Sequence, residues 1–106
     1  GLKPGTKFEM YGIQARVTPT TAEVVDGRGL AGSTLTMIRA VQTAVEQAEI
    51  PLVDAVYMAT LNPARQLGRD AEFGSLEKGK RADLVWFDNR YRVRGVWLDG
   101  ELRHLA

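Results

Sequence analysis

Alternating apolar and polar residues in the first quarter of the chain predict short antiparallel strands. The alternation runs from Lys7 to Gly12 and from Gln14 to Val17, and a further run from Ala22 to Val25 leads into an Asp26-Gly27 turn. Side chains two residues apart share a face of a strand, so each run has an apolar side. The pairs expected to share a face are Phe8 with Met10 and Ala15 with Val17.

The spacing of apolar residues changes after Gly32 and predicts an amphipathic helix. Apolar positions recur there at steps of three and four residues, at Ile38, Val41, Val45 and Ala48. Ser33 or Thr34 can cap the first free amide groups, although Thr36 stands where a capping box needs Glu or Gln.

A second helix is expected to follow Pro51, which suits a first helical turn. Its predicted apolar side consists of Leu52, Val53, Val56 and Ala59. The helix should stop near Leu61, because Asn62 precedes Pro63 and is disfavoured from helical angles. Pro63 can restart a short turn that Gly68 ends.

The last quarter of the chain predicts strands again. Ala82 to Phe87 is almost continuously apolar, and the runs Val93–Leu98 and Glu101–Leu105 flank an Asp99-Gly100 dipeptide typical of a tight hairpin. The order of strands, helices and strands predicts an α+β fold. A complete (β/α)8 barrel needs about 250 residues, so the chain can supply only part of one.

Composition narrows the class of protein. The 106 residues have room for one small domain with a modest core. Without cysteine there can be no disulfide or thiolate site, and a net charge of +1 does not favour nucleic acid or a membrane surface as a partner. No apolar run could span a membrane, so we expect a cytoplasmic protein. Because Gly1 is not an initiator methionine, we also expect a fragment of something larger.

Residue clusters that could carry chemistry are few. In Gly27–Ser33, glycines let backbone approach a polar or anionic ligand, but composition favours the plainer alternative of a strand-to-helix turn. The lone His104 cannot build a metal site and is expected at an edge strand or the surface. Neither Ser33 nor Ser75 has a neighbouring base. No catalytic residue and no metal ligand is therefore predicted.

Two further features have structural interpretations. Asp83 precedes an apolar strand and is expected to accept hydrogen bonds from the preceding turn, Gly79–Arg81. Arg90, Arg92 and Arg94 alternate, and a solvated strand face is favoured over a phosphate-binding stripe.

Three segments resemble a known family. They are Leu30–Met37 (LAGSTLTM), Met58–Ala64 (MATLNPA) and Gly74–Val85 (GSLEKGKRADLV). The last two resemble the amidohydrolase superfamily as a whole, and the first narrows the resemblance to N-acetylglucosamine-6-phosphate deacetylases. Gly1 to Gly5 resembles the loop just after the last barrel strand of these enzymes.

The resemblance implies a fold, a reaction and a site. Residues 1–68 would be the C-terminal end of a metal-dependent-hydrolase barrel and 69–106 the C-terminal strands of a small β-sandwich domain. The whole enzyme would use a divalent metal, zinc or iron, to deacetylate N-acetylglucosamine 6-phosphate to glucosamine 6-phosphate and acetate, in amino-sugar catabolism. Leu30, Ala31, Gly32 and Ser33 would line the sugar site. The family's metal ligands and catalytic aspartate lie before Gly1, so this chain alone would be inactive and bind no metal.

Two alternatives remain open at the level of sequence. The chain could be a non-catalytic interaction module, or part of another amidohydrolase that acts on a cyclic amide or nucleobase, such as a dihydroorotase-like or adenine deaminase-like enzyme. Helices from a barrel would leave an apolar face uncovered, so we expect a homo-oligomer or association with the rest of the enzyme.

Overall fold

The computed structural model describes residues 2–106 and divides into two compact units. The first unit ends at Thr36, and the second runs from Met37 to Ala106. The loop expected at the start of the chain lies in part outside the described residues, at Gly1. The barrel–sandwich division at residues 68 and 69 stays a prediction.

The first unit is an antiparallel sheet of four strands in chain order. The strands are β1 (Lys7–Met10), β2 (Ile13–Val17), β3 (Thr21–Val24) and β4 (Leu30–Ser33). Ala15, Val17 and Ala22 are its buried core, at positions where β2 and β3 lie side by side. The predicted alternation is confirmed for Ala15 and Val17. Met10, in contrast, lies at the hairpin tip and is 44% exposed.

β4 was not predicted as a strand. Its LAGS sequence contains a glycine and no β-branched residue, so strand propensity gives little signal there. The strand forms because the turn from Val25 to Gly29 returns the chain alongside β3. The strand-to-helix turn predicted over Gly27–Ser33 was therefore wrong for Leu30–Ser33, since hydrogen bonding to β3 outweighs local propensity.

Helix α1 (Met37–Glu46) opens the second unit. Val41 is its buried residue, as the periodicity predicts. The helix ends before the predicted Ala48, because Glu49 adopts a left-handed conformation with φ 54° and Ile50 donates back to the carbonyl of Ala44 at 3.0 Å. This pattern resembles a Schellman motif at the helix C-terminus, with Glu49 at the left-handed position that glycine usually occupies.

Helices α2 (Leu52–Ala59) and α3 (Leu61–Gln66) follow with a break at Thr60. In one continuous helix the carbonyl of Ala59 would need an amide hydrogen from Pro63, which proline lacks. The break places Pro63 in the first turn of α3, where no amide hydrogen is needed. Asn62 is therefore helical, and the prediction that Pro63 would exclude it from a helix was wrong.

The buried contacts of these helices use small side chains. Ala55 of α2 and Ala64 of α3 are each 2% exposed. The predicted apolar side of α2 is only partly covered, because Leu52 is 45% and Val53 62% exposed. Burial by Ala55 was not predicted, since alanine contributes little to an apolar pattern.

A three-stranded antiparallel sheet completes the second unit. Its strands are β5 (Leu84–Phe87), β6 (Val93–Leu98) and β7 (Glu101–Leu105), in that order. The turn between β6 and β7 has φ 53° at Asp99 and 80° at Gly100, as the Asp-Gly dipeptide predicts. The described residues therefore form seven strands and three helices, and no helix among them is long and apolar enough to cross a bilayer.

Candidate functional site

The segment that the family resemblance assigns to a sugar site forms β4, an edge strand of the first sheet. Leu30, Gly32 and Ser33 each have a partner on β3, whereas Ala31 is the extra residue of a β-bulge. A bulge redirects the neighbouring side chains and is common beside active sites. Leu30 is 71% exposed, so it presents an apolar side chain to a ligand or a partner.

The turn before β4 is held by an ion pair. The Arg28 side chain and backbone amide both donate to the Asp26 carboxylate, and they lower the pKa of Asp26 below its usual value. Gly27 has φ 77°, and the Val24 amide donates to the carbonyl of Gly29 at 2.9 Å. The glycines thus build a turn, but it joins strands β3 and β4 and is not the predicted strand-to-helix turn.

The segment after β4 makes a serine turn. The Ser33 hydroxyl accepts a hydrogen bond from the Leu35 amide at 3.0 Å, and α1 begins only at Met37. Neither Ser33 nor Thr34 lies at the helix start, so the prediction that one of them caps α1 was wrong.

A cavity of about 410 Å³ lies within the first unit, and we call it the β4 cavity. Its apolar wall comes from the sheet, from Leu2 and from Leu35, and three hydroxyl side chains line the remainder. The lining residues are Leu2, Phe8, Val17, Ala22, Ser33, Thr34, Leu35 and Thr36. The mixed lining suits a ligand with an apolar body and a hydrogen-bonding end. Sequence reasoning did not propose Leu35 or Thr36 as site residues, because only the folded chain brings them to the same cavity as Phe8.

Asp83 binds a different turn from the one predicted. Its carboxylate accepts a hydrogen bond from the Asp99 amide at 2.8 Å and pairs with Arg81 at 2.9 Å. The Gly100 amide also donates to the carbonyl of Ala82 at 3.0 Å. Asp83 therefore anchors the β6–β7 hairpin tip, 16 residues away, and the structural role assigned to it holds with another donor.

Asp88 binds two of the three arginines that the sequence predicts on one strand face, Arg92 and Arg94. The carboxylate accepts hydrogen bonds from the backbone amides of Arg90 and Arg92 and from the guanidinium groups of Arg92 and Arg94. These donors, led by the Arg92 amide, hold the pKa of Asp88 far below its ordinary value. Two of the three arginine side chains are thus engaged with a carboxylate, which argues against a phosphate-binding stripe.

Ser75 lies in a turn cluster in the second unit. The Ser75 hydroxyl is 2.6 Å from both the Lys80 ammonium and the Glu77 carboxylate. Ser75 and then Lys80 lower the pKa of Glu77. Lys80 and Glu77 also pair at 3.2 Å, so the three side chains are engaged with one another within this turn.

Comparison with known proteins assigns the family. A model of the amidohydrolase family matches residues 14–103. The chain belongs to the amidohydrolase family. An N-acetylgalactosamine-6-phosphate deacetylase from Shewanella sp. (strain ANA-3) is 44% identical to it over 102 residues, which are 95% of this chain and 25% of that protein.

Two solved structures share the fold of this amidohydrolase. The N-acetylglucosamine-6-phosphate deacetylase of Pasteurella multocida is 34% identical, with a TM-score of 0.85, over 92% of this chain and 25% of that one. A variant of the Mycobacterium smegmatis deacetylase, in complex with N-acetyl-D-glucosamine-6-phosphate, is 33% identical, with a TM-score of 0.78, over 95% and 27%. These matches confirm the predicted resemblance and the α+β class. The chain spans about a quarter of the length of these three relatives.

Amidohydrolases are generally metal-dependent, so we tested whether these residues fit a metal ion. Residues 2–106 contain no group of three or more His, Cys, Asp or Glu side chains that could hold one. His104 lies exposed on β7, the edge strand of the second sheet. This donor set among residues 2–106 does not fit a catalytic metal ion.

Proposed function

We propose that this chain is the part of an amino-sugar-phosphate deacetylase that supplies one wall of the sugar site. The complete enzyme would hydrolyse N-acetylglucosamine 6-phosphate to glucosamine 6-phosphate and acetate. The observation that carries the proposal is similarity along nearly the whole chain, in sequence and in fold, to deacetylases of this substrate class. The divalent metal, zinc or iron, and the residues that activate water would belong to the remainder of the enzyme.

The proposed role of this chain is to position the substrate. Leu30, Ala31, Gly32 and Ser33 would line the sugar site, with the bulge at Ala31 presenting Leu30 outward. The Asp26–Arg28 pair and the Ser33–Leu35 hydrogen bond would fix the two ends of this segment. A rigid wall of this kind contributes to catalysis by holding the reacting amide in place.

The names of the relatives point to two possible substrates, which are epimers of one another. One acts by name on N-acetylgalactosamine 6-phosphate and two on N-acetylglucosamine 6-phosphate. We favour the glucosamine substrate, because both structures that match this fold carry that name. Acetate release from the two sugar phosphates, compared under identical metal loading, would decide between them.

The experiment that tests the sugar wall compares two exposed apolar residues in the complete enzyme. Leu30→Ala should lower kcat/KM at least tenfold, because it removes a proposed substrate contact. Val25→Ala is the matched control, since Val25 is 47% exposed on the adjacent turn and has no proposed contact. Equal kcat/KM for Leu30→Ala and the parent enzyme would refute the role of β4.

A further inference from the structure

A row of four side chains crosses the first sheet from β1 to the proposed sugar wall. The register pairs Lys7 with Arg16, Arg16 with Glu23, and Glu23 with Leu30. Residues directly opposite one another in antiparallel strands share a face of the sheet. Glu23 therefore lies on the face that presents Leu30, and the two cations lie beyond it on the same row.

The bulge at Ala31 brings Leu30 to this face. Gly32 pairs with Ala22. In a regular strand Ala31 would then lie opposite Glu23, and Leu30 would fall on the other side of the sheet. The extra residue places Leu30 opposite Glu23 instead. Directly opposed Cβ atoms lie about 5 Å apart, so a ligand that contacts Leu30 lies within reach of the Glu23 carboxylate.

Both side chains also line a small pocket, which we call the turn pocket. Its volume is about 220 Å³, and its lining residues are Glu23, Val24, Gly27, Gly29 and Leu30. The turn pocket shares no lining residue with the β4 cavity. It combines a carboxylate with an apolar group, and its two glycines contribute no side chain. This combination suits a sugar, because hydroxyl groups donate to the carboxylate while C–H groups pack against the apolar group.

The Glu23 carboxylate is oriented by one neighbour and keeps an acceptor for a ligand. Its Oε1 accepts a hydrogen bond from the Thr21 hydroxyl at 3.2 Å, and no hydrogen bond to its Oε2 is found among residues 2–106. Although Arg16 lies directly opposite, Glu23 forms no ion pair within the same residues. Arg28, on the adjacent turn, pairs with Asp26 instead.

We propose that Glu23 determines substrate specificity by accepting a hydrogen bond from a ring hydroxyl of the sugar that Leu30 contacts. This inference rests on the proposed function, because it uses the same sugar wall. Like charges repel, so the substrate's phosphate would lie away from Glu23 and a hydroxyl edge of the ring toward it. An acceptor placed for one hydroxyl discriminates against an epimer whose hydroxyl points elsewhere. Glu23 would thus contribute to the choice between N-acetylglucosamine 6-phosphate and its galacto epimer.

Acetate release from the two epimeric sugar phosphates by the complete, metal-loaded enzyme tests this role. Glu23→Ala should lower kcat/KM for the preferred epimer about tenfold, because a hydrogen bond to a charged acceptor is lost. The ratio of kcat/KM between the two epimers should fall by a similar factor, whereas a loss of folded enzyme would lower both values alike. Glu23→Gln should lie between the parent and Glu23→Ala, because it keeps an acceptor oxygen without the charge.

Glu9→Ala is the matched control. Glu9 lies on β1, on the same face of the sheet, and is likewise held by one polar neighbour, Gln14, at 2.6 Å. It does not line the turn pocket, so both kcat/KM values should match those of the parent. A parent-like epimer ratio in Glu23→Ala would overturn the role of Glu23 and leave the proposed function standing. A parent enzyme that deacetylates neither epimer would refute the proposed function, and the role of Glu23 with it.

Discussion

Asp83 shows how one carboxylate joins parts of the chain that are distant in sequence. Its carboxylate accepts a hydrogen bond from the Asp99 amide at the hairpin tip. The same carboxylate forms an ion pair with Arg81, which precedes strand β5. Removing the acceptor leaves the Asp99 amide without its partner in the folded state.

We therefore expect Asp83→Ala to lower the free energy of unfolding by about 1 kcal/mol. Asp83→Asn should lower the free energy of unfolding by less, because the amide oxygen of Asn can still accept the same hydrogen bond. Urea unfolding of the two variants measures the difference. Parent-like stability of Asp83→Ala would show that the contact contributes nothing.

Asp88 makes a pH-dependent contribution to stability. Its pKa is lowered in the folded state by the Arg92 and Arg90 amides and by two guanidinium groups. A lowered folded-state pKa means that the stabilisation is complete above the ordinary carboxyl value of about 4 and is lost progressively as the pH falls below it.

Asp88→Asn should accordingly be less stable than the parent chain at pH 6, and the gap should close toward pH 2.5. Asp99→Asn is a suitable control, because no hydrogen bond or ion pair of the Asp99 side chain is found among residues 2–106, and Asn retains the backbone amide that donates to Asp83. Thermal melts across this pH range measure both. A gap that stays constant with pH would contradict the role of the Asp88 charge.

At the scale of elements, the connection from α3 to the second sheet depends on Gly74. It has φ 99°, and a Cβ there would lie 2.9 Å from the Ala64 Cβ and 3.2 Å from the Leu61 Cα. Both neighbours belong to α3, so neither can move without shifting the helix. Gly79 has a similar φ of 93° but open space around it.

Gly74→Ala should therefore cost about 2 to 3 kcal/mol of stability, from the sum of backbone strain and overpacking. Gly79→Ala should cost about 1 kcal/mol, from strain alone. Chemical denaturation of the two variants side by side measures the contribution of packing. Equal losses of stability in the two variants would mean that α3 can move away from the added methyl group at little cost.

The elements differ in how far local sequence determines them. The Asp99-Gly100 hairpin and the strands around it were predictable because turn chemistry and alternation agree there. β4 was not, because its strand pairing depends on β3 and on the turn between them. A break between two helices was predicted near Leu61, but it lies at Thr60, because Pro63 fits the first turn of α3 and Asn62 is helical. The Asp83–Asp99 bond needed the sheet order, which a single sequence does not supply.

At the scale of the whole molecule, the described core is small relative to the apolar surface. The buried apolar residues are all alanine or valine, namely Ala15, Val17, Ala22, Val41, Ala55 and Ala64. Leu30, Val53 and Trp86 are among the larger apolar residues that remain more than half exposed. Exposed apolar surface of this kind is typical of a protein that meets a partner or a ligand. The sugar wall at β4 is the role we propose for Leu30.

The sequence supported the family more firmly than the site. The motifs at Leu30–Met37 and Gly74–Val85 were sufficient to predict the family that the comparisons confirm. The assignment of Leu30–Ser33 to a sugar site stays a prediction, because it rests on resemblance and on a strand that offers an exposed apolar side chain.

The most direct test of the deacetylase assignment is acetate release from N-acetylglucosamine 6-phosphate, measured with added zinc or iron for the complete enzyme and for the 106-residue chain. We expect turnover by the complete enzyme and none by the chain, which lacks a set of metal ligands among its described residues. The assignment would be contradicted if the metal-loaded complete enzyme released no acetate from either amino-sugar phosphate. It would also be contradicted if the enzyme acted instead on a cyclic amide or a nucleobase. Turnover by the chain alone would contradict our placement of the catalytic groups.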